Sequence, residues 1–199
     1  MMGSFFGFHQ FVDAATPLQV VQKELQHISN KQPVLYSKLW IRSMQNAILF
    51  HHSDNIRHED TISNIKKSSL VKVKQLPLQK ASQYIPRLSQ YISKFEAENV
   101  QVYYVAARYE VKKENPYQLN GMNYFMQVFI QQGGEWRIAE SIVAPTDQIV
   151  ANGDGFGTKQ EKEYGKKKRE CEITSLFGSG YKKSIALVQC FFLFGSYNS

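Results

Sequence analysis

The chain has 199 residues, 43% hydrophobic and 13% aromatic, which is enough for one buried core and excludes an intrinsically disordered protein. Its formal charge of +7 is uneven: from Lys159 to Ser199 eight Lys/Arg stand against four Glu, so +4 sits in the tail, and the small excess elsewhere does not suggest a nucleic-acid-binding face. No run of about 18 apolar residues occurs, so no transmembrane helix is expected.

Residues 1–15 begin with an apolar stretch, FFGFHQF, followed by Val12-Asp13-Ala14, a small-x-Ala ending. This reads as the remnant of a signal peptide or as a plain disordered N-terminus. The first reading places the protein outside the cell or in the cell envelope, the second in the cytoplasm. Both cysteines, Cys171 and Cys190, lie in the tail, and a cysteine-free body suits either compartment.

Thr16-Pro17 predicts a helix start, with a side-chain acceptor at the cap and proline where its missing N–H costs nothing. Leu18, Val21, Leu25 and Ile28 then recur at helical spacing, and Asn30 and Pro33 end the helix. A second helix is expected over 34–50 and a loop over 53–63. Residues 68–78 alternate as a half-wet strand that ends at Pro77. A long helix over 80–98 carries Tyr84, Ile85, Leu88, Ile92 and Phe95 on one stripe, with Pro86 in its first turn or at a bend. Three antiparallel strands follow over 100–111, 120–132 and 135–143. The last two are joined by Gly133-Gly134, a pair suited to a primed turn in which both residues have φ > 0. On the final strand Trp136, Ile138 and Ile142 are assigned to one face, and Trp136 is expected to pack on the helix carrying Leu88 and Ile92.

This order, closed by the Gly-Gly-Glu-Trp-Arg-Ile hairpin at 133–138, resembles the nuclear-transport-factor-2-like superfamily over about residues 16–146. The resemblance implies an α+β fold in which a curved antiparallel sheet wraps helices into a cone. A narrower likeness, carried by Asn120 to Phe125 ahead of the Trp hairpin and a Gly-Phe-Gly segment behind it, is to amino-terminal domains of exported cell-wall or sporulation-related proteins of spore-forming bacteria. Some members of the superfamily are isomerases or cyclases that use an Asp base inside the cone. Here Glu110 and Glu140 are the strand carboxylates, and both are expected to face water.

No nucleophile–base pair, phosphate loop or zinc spacing is present. His51, His52, Asp54 and His58 fit no zinc motif, and the glycines of 152–157 lack the spacing of a phosphate-binding loop, so no metal and no cofactor are expected. Lys166-Lys167-Lys168-Arg169 reads as a solvated run. Tyr109, Asn120, Asn123, Tyr124 and Arg137 are the groups expected to rim the open end of the cone and touch a ligand or partner. The function expected on these grounds is a non-catalytic binding or interaction domain over 16–158, its partner a protein, a peptide or a cell-wall glycan, with a homodimer through the sheet as a further expectation. The rival is a small isomerase, cyclase or hydrolase using the cone as its pocket. A filled cone favours the first, and a deep cavity with a buried Asp, Glu or His favours the second. In residues 159–199 composition and cysteine usage change together, so this tail reads as frame-shifted or truncated sequence, with SIALVQCFFLF as a last strand on the other reading.

Overall fold

The computed structural model describes residues 15–53 and 60–167. The expectations for the N-terminal leader, for Asp54 and His58, and for the tail beyond 167 with both cysteines therefore lie outside the described residues. Helix α1 (Pro17–Ser29) starts as expected, with a reciprocal cap that Gln19 completes: Thr16 Oγ1 accepts the Gln19 N–H at 3.3 Å and Gln19 Oε1 accepts the Thr16 N–H at 2.7 Å. Its buried stripe is Val20, Val21, Glu24, Leu25 and Ile28, while Leu18 is exposed.

The single helix expected over 34–50 is two, α2 (Pro33–Lys38) and α3 (Gln45–His52). Between them Leu39 to Ile41 leave the helix to cover an open sheet edge. The Ile41 N–H donates to the Ile138 carbonyl at 2.9 Å, and the Ile138 N–H donates to Leu39 at 2.8 Å. Backbone groups of an edge strand need such partners, and that demand outweighs helical spacing here.

Strand β1 (Ile65–Leu76) is followed by α4 (Leu78–Ala81) and α5 (Leu88–Phe95), so the expected helix over 80–98 is broken. Pro86 disfavours helical backbone at Ile85, and the chain turns until Leu88. Strands β2 (Val100–Val111), β3 (Gly121–Gln132) and β4 (Glu135–Val143) then build an antiparallel sheet in the order β1-β2-β3-β4. Helix α6 (Thr146–Ala151) and a last helix, α7, over 159–167 complete the described chain.

The fold is α+β, an open four-stranded sheet with helices on both faces. On one face α1, α2 and α3 pack over Val105, Ala107, Tyr109, Phe129 and Ile138. On the other, α4, α5, α6 and α7 pack over Val102, Tyr104, Tyr124, Met126 and Ile130. Strand parity explains why both alternating sets on β2 and β3 are apolar. β1 is an outer strand whose lysines Lys66, Lys67, Lys72 and Lys74 blunt its edge.

One bulge rearranges β4. Val128 pairs with Glu140 and Phe129 with Ile138, leaving Ala139 as an extra residue. An inserted residue reverses parity, so Trp136 and Ile138 sit on the α1 face while Ile142 packs on the α5 side. Trp136 is half-buried and does not meet Leu88 and Ile92, contrary to expectation. Glu140 does not face water either. It is buried on the α5 side, where burial raises its carboxyl above the usual range, opposed by the Arg87 charge. Glu110 is exposed and pairs with Lys66 at 3.7 Å.

Gly133 and Gly134 have φ of 60° and 81°. Alanine at either position is expected to cost about 1–2 kcal/mol, because an L side chain clashes with the following carbonyl in this conformation. A urea midpoint unchanged in Gly134→Ala would contradict the turn.

The packed body does not stop at 158. Helix α7 buries Glu161 completely and Tyr164 nearly so, and the Tyr104 hydroxyl donates to Glu161 at 2.6 Å. The boundary expected there falls inside the core.

Candidate functional site

Between α1 and the sheet lies a cavity of about 340 Å³. Leu25 and Ile28 of α1, Ile62, and Val105 and Phe125 of the sheet form apolar wall. Tyr36 and His52 close one side from α2 and α3, and Tyr109 reaches in from β2. The core on this face is therefore incompletely filled.

Polar groups gather where Glu24 meets β3. Glu24 is 5% exposed, held on the buried stripe of α1 by its spacing from Val20, Val21 and Ile28. Gln127 lies between Phe125 and Phe129 on β3 and faces α1 by alternation, opposite Ser141. Its Nε2 donates to Glu24 Oε2 at 2.7 Å and to Ser141 Oγ at 3.3 Å. The Gln127 Oε1 is buried, and among the described residues nothing donates to it. Burial pushes the Glu24 carboxyl up to about 7, against the smaller opposing effect of the Gln127 hydrogen bond. Near neutral pH the group is divided between acid and carboxylate.

The neighbouring titratable groups respond to the same burial. The Tyr36 and Tyr109 hydroxyls are pushed well above their usual value, first by desolvation and then by the Glu24 charge. His52 is pushed down to about 3 by burial, with His51 adding to the shift and Asp60 opposing it. Its imidazole is thus neutral, and Nδ1 accepts the Ile62 N–H at 3.4 Å. His52 packs edge-on against Tyr36 with centroids 5.0 Å apart, and His51 Nε2 lies 3.5 Å from Asp60. Among the described residues no three metal-ligating side chains come together.

Of the five expected rim residues, only Tyr109 reaches this cavity. Tyr124 is 1% exposed on the opposite face, stacked on Tyr104 and edge-on to Tyr164. Asn123 is fully buried and clamps the turn before β3, accepting from the Leu119 N–H at 2.9 Å and donating to the Leu119 carbonyl at 2.7 Å. Asn120 is exposed, and its Oδ1 accepts the Val111 N–H. Arg137 pairs with Glu135 and donates to the Lys38 carbonyl at 2.6 Å. These residues do not form one surface.

The glycine-rich segment after α6 has other duties. Asp154 accepts from Lys80 at 2.6 Å and from the Tyr84 hydroxyl at 2.9 Å, while Phe156 stacks on Tyr104 with centroids 4.6 Å apart. The Phe156 and Gly157 amides that a phosphate would need already donate to Glu161. In the basic run, Lys167 pairs with Glu114 at 2.6 Å.

Glu24, Gln127, Tyr36 and His52 were not among the expected site residues. A signal existed for two of them. Glu24 interrupts a helical apolar stripe, and Gln127 interrupts an inward-facing aromatic alternation. Tyr36 and His52 carry no such mark, because only the chain reversal at Leu39 to Ile41 brings α2 and α3 to the cavity.

Comparison of the chain with protein-family models, with curated proteins and with solved structures finds no match in any of the three. Among the described residues no helix is long and apolar enough to cross a membrane.

Proposed function

We propose that this domain binds a small, mainly apolar molecule in the cavity between α1 and the sheet. The observation that carries the reading is the cavity itself: about 340 Å³, walled by aliphatic and aromatic side chains, with the Glu24–Gln127 pair as its polar end. Pockets for small ligands have this composition, and a module acting only by surface contact has no need to leave its core open. The order of helices, strand, helices and three strands, with a helix laid across an open sheet, supports a nuclear-transport-factor-2-like cone, in which such a cavity is the natural binding place. In this reading the protein is a non-catalytic binding domain, and the resemblance to exported bacterial proteins supports a place at the cell surface.

Filling the cavity tests this. Wild type is expected to bind a neutral apolar dye such as Nile red saturably, and Val105→Phe to bind it at least ~10-fold more weakly, since one added ring occupies the space a ligand needs. Equal binding by a folded Val105→Phe protein would place the dye elsewhere.

The cavity with buried Glu24 also meets the condition set out for the enzyme rival, and one property of that carboxyl favours it. A buried carboxyl titrating near 7 inside a cavity is suited to proton transfer. On that reading Glu24 removes a proton from carbon next to a bound carbonyl. Exchange of those protons for deuterium in D2O, followed by NMR on a bound cyclic ketone, would then be faster with wild type than with Glu24→Gln. Identical rates remove the enzyme reading and leave binding intact.

A further inference from the structure

We propose that the cavity's ligand is an amine, bound as its ammonium ion, with the charged nitrogen against Glu24 and Gln127 and the hydrocarbon part against Leu25, Val105 and Phe125. The inference rests on the binding reading above and assigns the ligand's chemistry.

The first argument is hydrogen-bond supply. Glu24 receives one donor, the Gln127 amide, and Gln127 Oε1 is buried without any. The Glu24–Gln127 pair therefore presents acceptor positions that no described donor fills, in a lining that also carries the hydroxyls of Tyr36, Tyr109 and Ser141. A buried acceptor left unpaired is costly, so a ligand that brings donors gains what the empty cavity forgoes. An ammonium has three donors and no acceptor, whereas a hydroxyl has one donor and a carboxylate none.

The second argument is charge. The described lining holds two carboxyl groups, Glu24 and Asp60, and neither Lys nor Arg. Asp60 is already engaged by His51, which leaves Glu24 as the other carboxyl of the lining. His52 stays neutral, so the described lining supplies no fixed cation for an acidic ligand. The rings of Tyr36, Tyr109 and Phe125 add faces that attract a cation and are indifferent or unfavourable to an anion.

The groups facing Glu24 make the expected pH dependence specific. Tyr36 from α2 and Tyr109 from β2 titrate far above neutrality, Gln127 and Ser141 do not titrate, and His52 from α3 titrates near 3. Within the working range the ionisation of Glu24 controls the attraction, and Asp60, 3.5 Å from His51, is the other carboxyl of the lining.

The test uses the full chain and three probes with one hydrocarbon body: phenylbutylamine, phenylbutanol and phenylbutyrate, each competed against Nile red. Near pH 8 the amine is expected to bind at least ~10-fold more tightly than the alcohol, and the butyrate most weakly. Lowering the pH to about 5.5 is expected to weaken the amine by roughly 10-fold or more as Glu24 takes up a proton, with little change for the alcohol. In Glu24→Gln the amine should lose both its preference and its pH dependence. An alcohol or butyrate that matches the amine in wild type overturns the inference, and so does a pH dependence that survives in Glu24→Gln, since it would belong to another group. Nile red binding without any preference among the three removes only this inference. Failure of Nile red and of all three probes to bind removes the cavity reading itself.

Discussion

Replacing Glu161 by alanine is expected to lower the unfolding free energy by about 3–5 kcal/mol. Its carboxylate accepts from the Tyr104 hydroxyl at 2.6 Å, from the Phe156 N–H at 3.0 Å and from the Gly157 N–H at 3.1 Å, all in a fully buried position. Removing the acceptor strands these donors. It also frees Phe156, whose ring is held parallel to Tyr104, and loosens α7 with Tyr164. Glu161→Gln keeps one acceptor oxygen and should cost about half as much. Gly155 is packed so closely against the same carboxylate that an added methyl would displace it, so Gly155→Ala should approach the alanine variant at Glu161. Urea unfolding followed by tryptophan fluorescence measures all three. A Glu161→Ala loss below about 1 kcal/mol would mean that α7 is not docked as described.

The pH dependence of stability is the second large effect, and its sign follows from Glu24. Folding raises this carboxyl from the ordinary 4.5 to about 7, so the native state holds the proton more tightly than the unfolded chain. The associated stability is fully present below about pH 4.5 and is lost as pH rises through 7. That interval corresponds to about 3 kcal/mol. His52 acts in the opposite sense. Its folded pKa is depressed to about 3, so its contribution is present above the unfolded value of 6.5 and falls away as pH drops. Between about pH 4.5 and 6.5 the two slopes oppose each other, and the wild-type profile is expected to be nearly flat. Glu24→Gln should unmask the His52 slope, making the protein less stable at acid pH than near neutrality. If wild type and Glu24→Gln show the same profile from about pH 4.5 to 8, Glu24 is not buried as a protonated acid. The native state can carry such a group because four apolar residues share its stripe. Val20, Val21, Leu25 and Ile28 each contribute about 1.5–3 kcal/mol by burial, more together than Glu24 costs.

Much of this architecture was legible from local rules, because those rules act over a few residues. Thr16-Pro17 set the start of α1, and Gly133-Gly134 set the last hairpin. Thr158 and Glu161 also carry a helix-start spacing, and the Glu161 N–H does bond Thr158 at 3.3 Å. What failed depended on partners far away in the chain. The split of 34–50 follows from the need of β4 for an edge partner, and the placement of Trp136 follows from one extra residue at Ala139.

The site divides in the same way. By itself the sequence carried a signal for Glu24 and Gln127, unused in the expectations for the site, since periodicity decides which way a side chain points within its own element. Only the tertiary structure decided that they meet, 103 residues apart, with Tyr36 and His52 beside them and room left for a ligand. It also moved Tyr124 and Asn123 into the interior. Whether an inward position ends in packed core or in a cavity depends on the summed volumes of side chains from several distant elements, and no local pattern records that sum.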